Sequence, residues 1–204
     1  MVILGLTGSI AMGKSTAAGF FRRLGVPVHD SDAEIHKLLG PKGAAVDAVE
    51  AAFPGVAKNG AVDRPLLGAR VFGNPEALRK LESILHPLVG RSRDRFLRQA
   101  TRRRASVVVL DIPLLYEVGA DAMCDAVVVV SAPAFLQRLR VLRRSGMTEE
   151  RLAAILARQM PDAEKRRRAD FVVPTGLGRA VTLRHIRIVV KVAKLMSGRH
   201  WPPR

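Results

Sequence analysis

Five short apolar runs set the rhythm of this chain, at residues 2–7, 26–29, 107–111, 126–130 and 171–174. Each is continuous and rich in valine rather than alternating apolar with polar. That is the pattern of strands buried on both faces of a parallel sheet. Helical patterns separate the runs, so an α/β fold with crossover connections is predicted. Pro27 lies inside the second run and has no amide hydrogen to give a neighbour, which predicts an edge strand. No run approaches the roughly 20 apolar residues of a membrane-spanning helix, and no membrane association is expected.

The interval from Ser31 to Ser106 holds no convincing strand. Helical spacing recurs over residues 33–39, 43–52, 64–72 and 75–99. Asn74-Pro75-Glu76 reads as a helix start, with a cap, a proline in the first turn and an acid beside it. His86-Pro87 is expected to kink or split that helix, because proline removes a backbone bond and crowds the preceding turn. This region reads as a helical insertion, residues 32–105, on a core made of residues 1–31, 106–132 and 169–200. A second helical stretch, residues 133–168, is dense in arginine, and its later half opens at Thr148-Glu149-Glu150-Arg151. After Gly178 the pattern is one long basic helix, and Trp201-Pro202-Pro203-Arg204 is expected to fray.

Composition narrows the picture. The 204 residues are 48% hydrophobic and 25% charged, enough for one sizeable α/β core. Residues 1–6 read as a buried strand, with neither the charged n-region nor the cleavage site of a leader. The lone Cys124 cannot form an internal disulfide; it reads as a small core residue and fits a reducing cytoplasm. The formal charge is +16 and arginine carries most of it, in runs such as Arg102-Arg103-Arg104 and Arg166-Arg167-Arg168. Such a balance suggests polyanionic partners, either nucleic acid or phosphorylated small molecules. The runs lack the interleaved aromatics of a single-strand binder, so they read as solvated helix faces and no specific nucleic-acid partner is expected.

The chemistry sits where the first run ends. Gly8-Ser9-Ile10-Ala11-Met12-Gly13-Lys14-Ser15 matches G-x-x-x-x-G-K-[ST], and Thr16 follows. The motif stands between a strand pattern and a helix pattern, the context it requires. Gly8, Ala11, Met12, Gly13 and Thr16 would bring backbone N–H groups and a helix N-terminus around a nucleotide's phosphates. Lys14 would reach the β- and γ-phosphates, and the Ser15 hydroxyl would ligate Mg²⁺. Asp111, ending the third run, matches a Walker-B acid within reach of that metal.

Other candidates follow from position. His29-Asp30-Ser31-Asp32 closes the second run, and ligands of open parallel sheets gather beyond the carboxyl ends of strands. Asp30 and Asp32 would share a side in extended geometry and could bind Mg²⁺ or accept a proton from an attacking hydroxyl. Asp32 could equally be the N-cap of the next helix. Residues 112–117, with Leu114 and Glu117, leave the sheet end and could line an acceptor cleft. Arg140 and Arg144 fall at i and i+4, a stripe able to close over a triphosphate or simply a basic face. Neither Asn59 nor Asn74 opens a guanine-reading N-K-x-D motif, which leaves a small kinase or a small ATPase.

Taken in order, these segments resemble the dephospho-coenzyme A kinase family over almost the whole chain. The resemblance rests on Gly5-Leu6-Thr7-Gly8 with Gly13-Lys14-Ser15-Thr16, and on Leu24-Gly25-x-Pro27-Val28-x-Asp30-Ser31-Asp32. It continues through Asp63-Arg64-x-x-Leu67, Leu81-Glu82-x-x-Leu85-His86-Pro87 and Asp111-Ile112-Pro113-Leu114-Leu115-x-Glu117. Gln137-x-x-Arg140, Gln159 and Ala169-Asp170-Phe171-Val172 complete it. Ser9, Ala11 and Met12 stand where the family often has two glycines and a serine, and a positive φ at any of them would carry a steric cost. Pro174-Thr175-Gly176 stands where the family often has an asparagine.

The resemblance implies a three-layer α/β/α P-loop kinase with a five-stranded parallel sheet, a helical substrate-binding insertion and an arginine-bearing lid. It implies transfer of the γ-phosphoryl of ATP, with Mg²⁺, to the ribose 3′-hydroxyl of dephospho-coenzyme A. Asp32 is then the candidate base, Arg140 and Arg144 the lid clamp, and Arg64 and His86 acceptor-side residues. Another small nucleotide or sugar kinase, and a nucleic-acid-associated ATPase, remain as alternatives.

Overall fold

The computed structural model describes residues 1–202; Pro203 and Arg204, at the end of the tail expected to fray, lie outside the described residues. In chain order, β1 (Val2–Thr7) leads to α1 (Lys14–Arg23) and β2 (Val28–Asp30). Next come α2 (Ser31–Leu39), α3 (Val46–Ala52), β3 (Ala57–Lys58), β4 (Ala61–Val62), α4 (Arg64–Val71) and α5 (Pro75–Arg102). Then follow β5 (Val107–Asp111), a 3₁₀ turn (Ala120–Met123), β6 (Ala126–Ser131), α6 (Ala134–Leu142), α7 (Glu149–Leu156), α8 (Asp162–Arg168), β7 (Phe171–Pro174) and α9 (Arg179–Ala193). The chain divides into two compact units: Met1–His29 with the chain from Ala100 onward, and Asp30–Gln99.

The first unit is built on one sheet in the order β2-β5-β1-β6-β7, with β1 parallel to β5 and β6, and β6 parallel to β7. β2 lies at the edge, as Pro27 predicts, and the Pro27 carbonyl accepts from Val109 N at 2.9 Å. β1 is central, so the loop that follows it opens between two flanking strands. Period-2 geometry explains the apolar runs. Val2, Leu4 and Leu6 of β1, with Val107 and Val109 of β5 and Val128 and Val130 of β6, share a cluster with Phe20, Phe21, Ile186 and Val190 of α1 and α9. The intervening residues Ile3, Val108, Leu110, Val127 and Val129 are equally buried. On that second face Gly5 lies under Leu115 and Cys124, and Cys124 is the small core residue expected.

Two acids seal the end of the sheet where β1 and β6 begin. Asp125 accepts from Ile3 N at 2.7 Å through Oδ2 and from Arg199 N at 2.6 Å through Oδ1. Asp170 does the same for Val127 N at 2.7 Å. The tail is therefore held where fraying is expected: Trp201 Nε1 donates to Thr101 Oγ1 at 2.8 Å, and the long terminal helix stops at Ala193.

The second unit gathers Leu39, Val46, Val49, Phe53, Val62, Leu67, Leu81 and Leu85 into its own cluster. Two expectations are corrected here. β3 and β4 form an antiparallel hairpin in a stretch read as strandless. Its turn is Asn59-Gly60, with φ of +52° and +74°, a strong short-range hairpin signal that was available in the sequence. And α5 is not split at Pro87 but runs unbroken over 28 residues. Leu81, Leu85 and Leu88 face the cluster on both sides of the proline, and their burial outweighs the lost backbone bond. Among the described residues no helix is long and apolar enough to cross a membrane.

Replacing Asp125 with alanine is expected to destabilise the fold by about 2–3 kcal/mol, since an amide of β1 and one of the tail lose a charged acceptor. Chemical denaturation measures this. Asp125→Asn, which keeps one acceptor oxygen, should fall between wild type and alanine.

Candidate active site

The loop from Gly8 to Gly13 leaves β1 and turns into α1, whose first helical residue is Lys14. Gly8 passes so close to β6 that a Cβ would sit 2.4 Å from Val130 Cγ2 and 2.8 Å from the Val130 carbonyl oxygen. Gly13 has φ +91°, a conformation L side chains rarely adopt. Ala11 has φ +58°, so one of the family glycine positions does carry the steric cost expected of a side chain there. That cost is on the order of 1 kcal/mol. Its carbonyl, turned outward by this φ, accepts from Arg140 Nη1 at 3.3 Å.

Every carbonyl from Ile10 to Met12 has such a partner. Gln137, buried on α6, donates to Ile10 O at 2.9 Å, while Gln159 Oε1 accepts from Ile10 N at 3.1 Å. Thr175 Oγ1 donates to Met12 O at 2.6 Å. Met12 itself is buried, its Sδ accepting from Ala132 N at 3.1 Å. The first turn of α1 has no acidic residue, and Ser15 and Thr16 are exposed there. A helix N-terminus with no acidic residue in its first turn and a glycine-rich approach suits an anion.

Lys14 Nζ is 2.7 Å from Asp111 Oδ1. Asp111 ends β5 opposite Leu6 of β1 and is 2% exposed, and the Lys14 ammonium is a counter-charge to it. The P-loop lysine and the Walker-B acid read from separate motifs thus meet. Beyond Asp111, Thr7 Oγ1 donates to Pro113 O at 2.8 Å and fixes the exit of the loop that carries Leu114, which is exposed.

Glu117, expected to line an acceptor cleft, has partners within the protein. Its Oε1 accepts from Met160 N at 2.9 Å and pairs with Lys165 Nζ at 2.8 Å, and Lys165 is fully buried on α8. Burial pushes the Glu117 carboxyl up, but the Lys165 ammonium and the Met160 amide outweigh it and hold it below the usual carboxylate range. Tyr116, beside it, is raised to about 12, chiefly by burial. The Arg168 guanidinium lies 4.4 Å from its ring centroid.

Two further expectations are corrected. Arg140 and Arg144 do not share a helical stripe: α6 ends at Leu142, and Arg144 is exposed in the turn after it. Arg140 is instead half-buried, and its Nη2 donates to Thr175 O at 2.8 Å. In the second unit, the N-cap of α2 is Asp30, whose Oδ1 accepts from Ala33 N at 3.0 Å. Asp32 lies exposed in the first turn, so the two acids are not in extended geometry. The capping alternative for Asp32 falls away because Asp30 fills it. Also in this unit, Asp63 caps α4 through Leu66 N and displays Arg64 to solvent, while His86 is exposed on α5.

The sequence marks Thr175 only as part of the Pro174-Thr175-Gly176 departure, without a role, and does not mark Lys165. A polar residue ending an apolar strand run was the signal for Thr175; nothing marked Lys165 among its arginine neighbours. Among the described residues, no group of three or more His, Cys, Asp or Glu is arranged to hold a metal ion.

A family model described as dephospho-CoA kinase matches residues 2–177. A dephospho-CoA kinase of Rhodospirillum rubrum is 58% identical over 202 residues, covering 98% of this chain and 95% of that protein. Among solved structures, one from Thermus thermophilus is 34% identical with a TM-score of 0.82, covering 96% of this chain and 98% of that one. A dephospho-CoA kinase from Campylobacter jejuni is 26% identical with a TM-score of 0.61, covering 94% and 96%.

Glu117→Gln leaves Lys165 buried without its counter-charge, and the expected loss of stability is about 3–5 kcal/mol. Thermal or urea denaturation measures it. The double variant Glu117→Gln with Lys165→Met should be less destabilised than Glu117→Gln alone. Because the Glu117 carboxyl is depressed in the fold, the pair's contribution is present above the unfolded carboxylate range and is lost as pH falls through the folded value.

Proposed function

The chain belongs to the dephospho-CoA kinase family, and from that premise we propose a phosphoryl transfer in which each residue of the site has a part. The reaction moves the γ-phosphoryl of ATP to the ribose 3′-hydroxyl of dephospho-coenzyme A. The observation that carries this reading is the Lys14–Asp111 pair at 2.7 Å beside a loop whose Ile10, Ala11 and Met12 carbonyls are held by side chains. The same family match disfavours a sugar kinase or a nucleic-acid ATPase.

The transferred group needs little covalent help from the protein, so positioning and charge neutralisation carry the rate. The loop amides and the start of α1 hold the β- and γ-phosphates, and Lys14 exchanges Asp111 for a phosphate oxygen. A hydroxyl and a carboxylate without a preformed cage suit Mg²⁺, which keeps waters and binds largely through phosphates. Ser15 and Asp111 are the residues that would hold it, and when bound it offsets charge on the β- and γ-oxygens. Asp32, exposed and freed of any capping duty, is the candidate base for the 3′-hydroxyl. Arg64 and His86, both exposed, are the acceptor-side candidates, with Asp30 and Leu114 as further acceptor contacts. Arg140 is the clamp on the phosphates and Arg144 an accessory to it.

The excess positive charge suits a pyrophosphate-bearing acceptor and a polyphosphate donor. A cytoplasmic setting belongs to the same reading, supported by the single buried cysteine.

A coupled assay with ATP and dephospho-coenzyme A, with and without added DNA or RNA, tests the reaction; turnover that is independent of nucleic acid is expected. Asp32→Asn should lower kcat by about 10²–10⁴-fold while ATP affinity changes little. An unchanged kcat would remove Asp32 from the base role. Lys14→Met should melt below wild type, because it leaves Asp111 buried without its counter-charge, and where folded it should lose nearly all turnover, because it deletes the positive charge on the phosphates.

A further inference from the structure

We propose that Thr175 is a positioning residue of the phosphate loop, its hydroxyl setting the turn through which the chain delivers Lys14. The inference rests on the reading of residues 8–15 as a nucleotide-binding loop.

Thr175 follows directly on β7 and is 7% exposed. Its amide is anchored first: Thr175 N donates to Ser131 O at 2.8 Å, continuing the ladder between β7 and β6. Its hydroxyl then points at the loop after β1. It donates to Met12 O at 2.6 Å and accepts from Arg140 Nη1 at 3.3 Å. Arg140 Nη2 grips the Thr175 carbonyl at 2.8 Å, so the guanidinium and the hydroxyl form one unit. That unit takes two successive loop carbonyls, Ala11 through Arg140 and Met12 through Thr175.

The side chain also sets the space available to the next residue. A Cβ on Gly13 would stand 3.1 Å from both Thr175 Cβ and Oγ1, and 3.2 Å from Cγ2. Thr175 therefore bears on the residue immediately before Lys14 from one side while holding the carbonyl before that. With the Met12 carbonyl held outward, the peptide joining Met12 to Gly13 must turn its N–H the other way, toward the anion. Without the hydroxyl, that buried carbonyl has lost its donor, and the peptide gains a reason to rotate.

The role of Thr175 concerns ATP, not the acceptor. Thr175 lies in the unit that carries the phosphate loop, and it donates to loop backbone rather than to any group assigned to dephospho-coenzyme A.

The test uses the full chain with Thr175→Val, which keeps the shape and removes the hydroxyl, and Thr175→Ser, which keeps the hydroxyl. Binding of Mg-ATP is measured by calorimetry well below the melting temperature, beside steady-state kinetics for both substrates. Thr175→Val is expected to weaken ATP binding by about tenfold or more, the effect of stranding one buried carbonyl. Thr175→Ser should stay within about threefold of wild type, and the KM for dephospho-coenzyme A should hold in both. The proposal is overturned if Thr175→Val binds ATP as wild type does, even with a lowered Tm, because the role is then structural only. It is equally overturned if valine and serine weaken binding alike, because shape rather than the hydroxyl then matters. Should valine not fold, Thr175→Ala against Thr175→Ser asks the same question with the same outcomes. Lys14→Met is the control: if it too leaves ATP binding intact, the reading of the loop itself fails, whereas a loss there beside an unaffected Thr175→Val overturns only the role of Thr175.

Discussion

A backbone loop that offers its N–H groups to an anion must dispose of its carbonyls elsewhere, and that constraint organises this protein. Each peptide unit carries both groups on opposite sides, so directing one inward directs the other outward. Here three consecutive outward carbonyls are met by Gln137, Arg140 and Thr175, side chains from α6 and from the end of β7. The order of the sheet makes this possible. β6 and β7 lie on one side of β1, and their carboxyl ends deliver α6 and Thr175 to the loop. β5 lies on the other side and delivers Asp111 to Lys14.

Charge is handled by the same economy of partners. The chain carries 34 lysines and arginines against 18 acids, yet in the first unit the buried charges are met in pairs. Asp111 has Lys14, and Lys165 has Glu117. Such pairs are strong only while both members remain, because a lone buried charge is costly. The arginine runs at residues 102–104 and 166–168 stay exposed, as solvated faces do. Arg140 is the exception that matters, because it is half-buried and fastened to the loop and to Thr175 by three hydrogen bonds. It is already seated on the loop, and the contribution proposed for it in catalysis starts from there.

Local chemistry makes much of this legible in the sequence. The five apolar runs became the five strands of the large sheet; β1, β5 and β6 are buried on both faces and so do not alternate, while the edge strands β2 and β7 are only partly buried. Thr148 and Asn74 act through their side chains at helix starts, because a cap is a contact between residues two or three apart. The loop after β1 was recognisable because its glycines answer local demands of backbone and approach. Asn59-Gly60 belongs to the same class of signal, because its turn preference is intrinsic to two adjacent residues.

The rest lay beyond any window of sequence. Whether Asp30 or Asp32 caps α2 depended on where β2 stopped, and β2 stopped one residue later than its apolar run. Pro87, itself exposed, stays inside a helix whose leucines on either side of it, Leu81, Leu85 and Leu88, pack into one cluster. Glu117 meets Lys165 across 48 positions, and Arg140 meets Thr175 across 35. Periodicity, caps and motifs are set by neighbours along the chain, and the amino-acid sequence determined those by itself. Which carbonyl, carboxylate or ammonium finds which partner is set by strand order and crossover packing, and only the tertiary structure decided it, because those energies exist only once distant segments share the same few ångströms.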